Sequence, residues 1–267
     1  MVEALFSVRF VRNKTKIYPA PRRGAEQKHN NQTCYISGPR VSGDGGRKRD
    51  KNKFMKLQKL DYLNYLIILL TIGFSIYFYP LLPERVVTHW NFTGQADGWS
   101  GKGFQTLFLP ILMIAMYALF QFLPKLDPKR LNYADFVPAY KVFQFIFLLF
   151  FFALFLVTSW SNLGVSIPIA QVVSSLIGLM FIIFGILMPK LKSNWFIGIR
   201  TPWTLSSDVV WTKTHNFAKY IFVLAGVIFC LASYLTEALF LPLFIVFIIL
   251  MLTPIIYSYI VFRKLPK

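Results

Sequence analysis

Cysteine is almost missing from this chain. Cys34 sits in a polar stretch and Cys230 inside an apolar run, so neither a disulfide framework nor a cysteine metal site can be built. Acidic residues number 11 and histidines three in 267 residues, and charged side chains of both signs make up only 15%, against about 25% in soluble domains. No HExxH, GxSxG, phosphate-loop or paired-carboxylate pattern occurs, which removes the usual signatures of hydrolases and nucleotide enzymes. What fills the space is apolar: 55% of residues are hydrophobic and 18% aromatic. That balance reads as a membrane-inserted chain.

The net charge of +18 is spread rather than concentrated. Residues 1–54 carry 13 Lys+Arg against 4 Asp+Glu, and residues 55–267 carry 16 against 7. Neither part has the basic face and motif of a nucleic-acid binder, so no direct nucleic-acid binding is expected. The first 54 residues are rich in Gly, Pro, Asn and Arg without hydrophobic period, as in "SGPRVSGDGGRKRDKNK". They read as a disordered basic leader, with weak amphipathicity speaking against a transit peptide. Met55 opens "MKLQKLDYLNYLIILL", which looks like an ordinary bacterial membrane-protein N-terminus and makes Met55 the expected start.

Six apolar stretches follow: Leu63–Leu82, Phe104–Leu123, Val142–Trp160, Ile167–Met188, Tyr220–Leu235 and Leu239–Phe262. About 20 apolar residues span the hydrocarbon core as a helix, and a barrel would show alternation that is lacking here. The fold class expected is all-α, a polytopic membrane helix bundle with six transmembrane helices. With the N-terminus inside, 14 of the 16 Lys and Arg after Met55 fall in cytoplasmic segments, leaving only Arg85 and Lys102 outside. The positive-inside bias therefore places both termini in the cytoplasm. Residues 55–125 divide off as two spans with an outer loop at 83–103, and 126–267 as a four-span core with a cytoplasmic segment at 190–219. The six runs contain no Asp, Glu, Lys, Arg or His, which disfavours proton- or ion-coupled transport.

The outer loop holds "THWNFTGQADGW". His89 and Asp97 invite a catalytic or zinc reading, but zinc wants about three protein ligands, and His215 falls across the bilayer. No metal and no cofactor is expected, nor an enzyme. Gly94 and Gly98 suit a tight loop, Asn91 and Asp97 can bond nearby backbone, and Trp90 and Trp99 suit the interfacial belt. What is left over, His89 beside Trp90, fits contact with a peptide or lipid headgroup.

The cytoplasmic segment runs "MPKLKSNWFIGIRTPWTLSSDVVWTKTHNFAKY". Gly198 and Pro202 punctuate a turn beside Asn194, Arg200, Thr201 and Trp203. Ser206 or Ser207 followed by Asp208 looks like a helix start, after which Trp211, His215 and Lys219 share one face, with Thr214 alongside. An interfacial helix anchored at the headgroups and a docking surface both fit this pattern.

The stretch Met188–His215, with the tail "TPIIYSYIVFRK", resembles the SdpI-type bacterial immunity and signal-transduction membrane proteins. "LPERVVTHWNFTGQADGWSGK" is similar to an extracellular module of unknown function that precedes the core in larger members. One departure is Lys219, where the family pattern usually has a small residue that allows close helix packing. The resemblance implies a multi-pass protein of the bacterial cell membrane that protects against a secreted toxic peptide, and in some family systems also signals to a cytoplasmic transcriptional repressor. On that basis, and with membrane lipids as its surroundings, His89, Trp90, Asn91, Gly94, Asp97 and Trp99 are expected to contact the ligand. Asn194, Gly198, Arg200, Thr201, Pro202, Trp203, Trp211, Thr214 and His215 are expected to form a structural or signalling motif. A passive permease or channel-like protein is the runner-up, and a membrane enzyme stands behind it.

Overall fold

The computed structural model describes residues 57–266 apart from 92, 233 and 236; the basic leader and the expected Met55 start lie outside the described residues. Six helices among the described residues are long and apolar enough to cross a membrane. They are α1 (Lys59–Phe78), α2 (Lys102–Leu126), α3 (Val137–Asn162), α4 (Ile169–Leu187), α6 (Asp208–Ala232) and α7 (Glu237–Arg263), with the short α5 (Pro202–Ser206) between α4 and α6. The expected helical bundle of a multi-pass membrane protein is what the chain forms.

Two boundaries differ from the hydropathy runs for physical reasons. α1 starts and stops four residues before its apolar run. Asp61 Oδ2 accepts the Gln58 N–H at 2.9 Å and closes the first turn, while Pro80, lacking an N–H, prevents continuation past Tyr79. The fifth run is only the later part of α6, which begins at Asp208 behind Ser207; the Val210 N–H points to Ser207 Oγ at 3.4 Å. An interfacial helix separate from the span is therefore not present, and the Trp211–His215 stripe belongs to the spanning helix itself.

Inside the bundle, polar side chains are buried among apolar core clusters, while the outer faces are apolar. On α1 the buried positions are Asp61, Asn64, Ile67, Thr71, Ser75 and Phe78, a helical stripe at three- and four-residue spacing that is mostly polar, while Leu69 and Ile76 face outward. With lipid rather than water around the helices, association rests on packing and interhelical hydrogen bonds instead of hydrophobic exclusion. Ser75 Oγ donates to the Thr106 carbonyl of α2, while Thr71 Oγ1 is satisfied within α1 by the Ile67 carbonyl at 2.7 Å.

α4 and α6 pack through glycine. A Cβ at Gly226 would meet the Gly178 carbonyl oxygen at 2.5 Å, and one at Gly185 the Lys219 carbonyl oxygen at 2.9 Å. The close packing that Lys219 put in doubt is kept, because Gly185 of α4 lies against the Lys219 backbone and the Lys219 ammonium turns aside over the Tyr220 ring.

The segment between α1 and α2 is a β-hairpin rather than an irregular loop. Strand β1 (Arg85–Trp90) pairs antiparallel with β2 (Ala96–Gly101). Its base is closed by the Lys102 N–H to the Glu84 carbonyl at 3.1 Å and the Lys102–Glu84 ion pair at 2.9 Å. Asn162, the last residue of α3, accepts the Val87 N–H at 2.7 Å and donates to the Val87 carbonyl at 2.9 Å. Its carboxamide acts as one residue of a third strand and docks the hairpin on the bundle.

Gly226→Leu is expected to destabilise the protein by about 2 kcal/mol or more through overpacking, read as a lowered thermal midpoint in detergent. Asn162→Ala is expected to speed amide exchange across β1 while leaving exchange in α4 and α6 unchanged, measured by hydrogen–deuterium exchange with peptide resolution.

Candidate functional site

At the hairpin end, the turn is organised by Asn91. Its Oδ1 accepts the Thr93 N–H at 3.0 Å, the Thr93 hydroxyl at 2.7 Å and the Gln95 N–H at 2.9 Å, with Gly94 at φ +84°. The tight-turn geometry expected of Asn91 and Gly94 is present. Those of Gly98 and Asp97 differ: Gly98 is no positive-φ hinge but lies against His89, where a Cβ would stand 2.8 Å from His89 Cβ. Asp97 turns away from the backbone to bond His89 Nδ1 at 2.5 Å across the strands, with both side chains exposed. Trp99 is half exposed and lies under the Arg85 guanidinium at 5.7 Å.

Beside this hairpin is a cavity of about 380 Å³, walled by Thr88, His89, Trp90 and Asn91 of β1 and its turn, the first turns of α2 and α4, and the last turns of α3. The structure thus brings His89, Trp90 and Asn91 to one opening and leaves Trp99 on the far strand. Among the described residues no group of three His, Cys, Asp or Glu could hold a metal ion.

At the other end, residues 188–207 fold into a compact cap. Asn194 is fully buried: its Oδ1 accepts the Phe196 and Ile197 N–H groups at 2.9 and 2.7 Å, and its Nδ2 donates to the Lys192 and Ile197 carbonyls, each at 2.9 Å. Asp127, at the end of α2, accepts the Trp195 N–H at 2.8 Å and the Tyr133 hydroxyl at 3.0 Å. Burial, reinforced by the Asp127 carboxylate, pushes the Tyr133 phenol well up, so it remains a donor. Lys129 reaches Ser193 Oγ at 2.7 Å and the Leu205 carbonyl at 3.0 Å.

The cap is seated on α6. His215 Nδ1 donates to the Trp211 carbonyl at 2.8 Å, and Nε2 accepts the Ile199 N–H at 3.1 Å, an arrangement that requires the neutral imidazole with its proton on Nδ1. Trp211 stacks on His215 at 4.0 Å and donates from Nε1 to the Leu191 carbonyl at 2.9 Å. Gly198, at φ +107°, crosses directly over them; a Cβ there would stand 2.5 Å from His215 Nε2. Thr201 caps α5 and meets Ser258 of α7 at 3.0 Å, and Trp203 packs on Tyr259. Thr214 is buried and its hydroxyl has no partner. Of the nine residues expected in this motif, Asn194, Thr201, Trp211, Thr214 and His215 are buried, whereas Arg200 and Pro202 are exposed. Arg200 donates to the Trp195 carbonyl at 2.9 Å.

One group escaped the hydropathy reading. Lys141, counted among the loop cations, lies inside α3 and is buried against Asp61 of α1, Nζ to Oδ1 at 2.7 Å. Asp61 Oδ1 also accepts the Tyr117 hydroxyl of α2 at 3.1 Å. Asn64 and Gln144, one turn further along, are fully buried, and neither amide atom of Asn64 has a partner among the described residues. The acid fell before the first apolar run and the base just before the third, so each read as flanking charge. The opposite signs at matching ends of two spans were the available signal.

A model of the SdpI/YfhL protein family matches residues 190–258, which take in the cap, α6 and most of α7. A model of a domain of unknown function (DUF1648) matches residues 66–114, from within α1 through the hairpin into α2. The chain is 27% identical over 208 residues to Immunity protein SdpI of Bacillus subtilis (strain 168), an alignment covering 78% of this chain and 98% of that protein. No solved structure matches. These matches bear out the SdpI-type resemblance and the accompanying module.

Removing one partner of the buried ion pair, by Asp61→Asn or Lys141→Met, is expected to cost about 3 kcal/mol or more, because the other charge is left uncompensated. The Asp61→Leu/Lys141→Met double variant should recover much of that loss in thermal unfolding. Asn194→Leu is expected to be worse than Arg200→Ala by at least about 2 kcal/mol, since only the former strands buried backbone groups.

Proposed function

We propose that this chain is an immunity protein of a bacterial cell membrane that protects its host from a secreted toxic peptide. The observation that carries the reading is the alignment with Immunity protein SdpI, which spans nearly the whole of that protein. In this reading the hairpin lies outside and both termini lie in the cytoplasm. Setting the paired Lys141 aside, 13 of the remaining 15 Lys and Arg after Met55 still fall on the cytoplasmic side, in keeping with the positive-inside rule.

The toxin is met at the hairpin end, by His89, Trp90, Asn91 and Asp97 around the cavity mouth; Gly94 shapes the turn and Trp99 flanks it. The His89–Asp97 bond serves to hold the imidazole at the rim, not to activate a nucleophile, since no nucleophile stands within its reach among the bonds it makes. The cap is the scaffold at the cytoplasmic end. A signal to a transcriptional repressor would use its exposed rim, where Trp195, Arg200, Pro202 and Val209 face outward. Toxin binding alters that rim only if it favours one of two helix arrangements, and the α3 helix, which touches hairpin and cap residues at its two ends, is the element able to connect them.

The test is survival of a toxin-sensitive strain that lacks an immunity protein. Expression of this chain is expected to restore growth on the toxic peptide. Trp90→Ala and the His89→Ala/Asp97→Ala pair should reduce protection at least ten-fold at equal membrane abundance. Absence of protection with the protein present in the membrane overturns the reading, and solute flux into liposomes without toxin would favour a passive permease.

A further inference from the structure

The cavity behind β1 is chemically incomplete, and what it lacks specifies a guest. Gln105 of α2 lies in its wall, more than nine-tenths buried. Gln105 Nε2 donates to Thr158 Oγ1 of α3 at 2.7 Å. Thr158 has spent its own proton on the Leu154 carbonyl at 2.9 Å, so its oxygen can only accept and the orientation of the Gln105 amide is settled. That leaves Gln105 Oε1 with no donor among the described residues. Ser174 of α4, also more than nine-tenths buried and in the same wall, has no hydrogen-bond partner either. Both oxygens are open to the cavity rather than sealed inside the protein, so a guest that enters can reach them.

The rest of the lining defines the remainder of the guest. Trp90, Phe104 and Phe108 line the cavity, the two Phe rings stacked 4.8 Å apart, and give it aromatic walls. No Asp, Glu, Lys or Arg lines it, and His89 is engaged by Asp97 at the rim. A charged group would be desolvated there without a counter-ion, so the guest is neutral. A purely aliphatic guest would leave Gln105 Oε1 without a donor. A flat ring bearing one N–H or O–H satisfies both the walls and the amide, and Trp and Tyr are the side chains that carry an apolar body with such a tip.

We propose that this cavity is the anchor site for a single neutral donor-bearing aromatic side chain, Trp or Tyr, of a peptide entering from the membrane interface, its N–H or O–H bonded to Gln105 Oε1. The proposal rests on the immunity reading for the origin of the peptide and not for the chemistry of the site. About 380 Å³ holds one such ring with its first backbone atoms, at the small end of the usual range for ligand pockets. Ala170, at the start of α4, lines the cavity beside Gly94 of the hairpin turn, so added bulk there narrows the space open to a guest.

The test uses two probes of nearly equal apolar volume, 5-fluoroindole and 1-methyl-5-fluoroindole, which differ in the ring N–H. Fluorine NMR is recorded with the full chain in phosphatidylcholine nanodiscs and with empty discs. Saturable broadening of 5-fluoroindole beyond that in empty discs is expected, with 1-methyl-5-fluoroindole at least ten-fold weaker. Ala170→Phe should abolish binding at an unchanged melting temperature, and Gln105→Leu should bring the two probes to equal affinity. Equal binding of both probes to the unsubstituted protein marks an unspecific apolar slot or a lipid-chain site and overturns the proposal, as does binding that survives Ala170→Phe. Protection retained without indole binding overturns the anchor site alone. Indole binding with no protection overturns the immunity reading and leaves the site's chemistry standing.

Discussion

A polar group inside hydrocarbon has no water to bond, so it must find its partner on another part of the protein. That constraint arranges this molecule. On the inward-facing stripe of α1, neighbouring helices supply Lys141 and Tyr117 to Asp61 and the Thr106 carbonyl to Ser75, while Asn64 has no partner among the described residues. Leu69 and Ile76 face outward because lipid accepts them. With α1 held to α3 at one end by an ion pair, and β1 held to α3 at the other by Asn162, the hairpin has a defined position over the cavity.

The same rule explains the division of labour between the two ends. In the cap, nearly every distinctive side chain is spent on backbone: Asn194 on four groups, His215 on two and Trp211 on one. A residue so engaged is not free to bind a partner, which makes this densely patterned part of the chain a scaffold. At the hairpin end the accounts stay open: His89 and Asp97 are exposed, and Gln105 and Ser174 are buried but unfilled. The densely bonded cap and the open cavity therefore lie at opposite ends.

The cavity was hidden in the sequence because its parts are far apart in it. Trp90, Gln105, Thr158 and Ser174 come from four elements, and in the apolar runs Gln105 and Ser174 look like the occasional polar residue any spanning helix tolerates. Asp61 and Lys141 were hidden for the opposite reason: each stood at the margin of a run, where flanking charge is ordinary. The hairpin escaped notice because its pairing skips a position between Val87 and His89, so no clean alternation marks the strands, and Asn162, which docks it, lies 75 residues from Val87.

The sequence by itself determined the medium and the element type. Six long apolar runs leave no choice but spanning helices; Ser207–Asp208 starts α6, and Asn91 with Gly94 makes the turn, since each depends only on neighbours along the chain. Tertiary structure alone decided which polar residues pair, that Gly98 serves close approach to His89 and not turning, that Gly185 compensates for Lys219, and that Gln105 and Ser174 face one cavity. Those outcomes depend on distances between helices, and hydrocarbon, which favours all apolar faces equally, does not encode them in hydropathy.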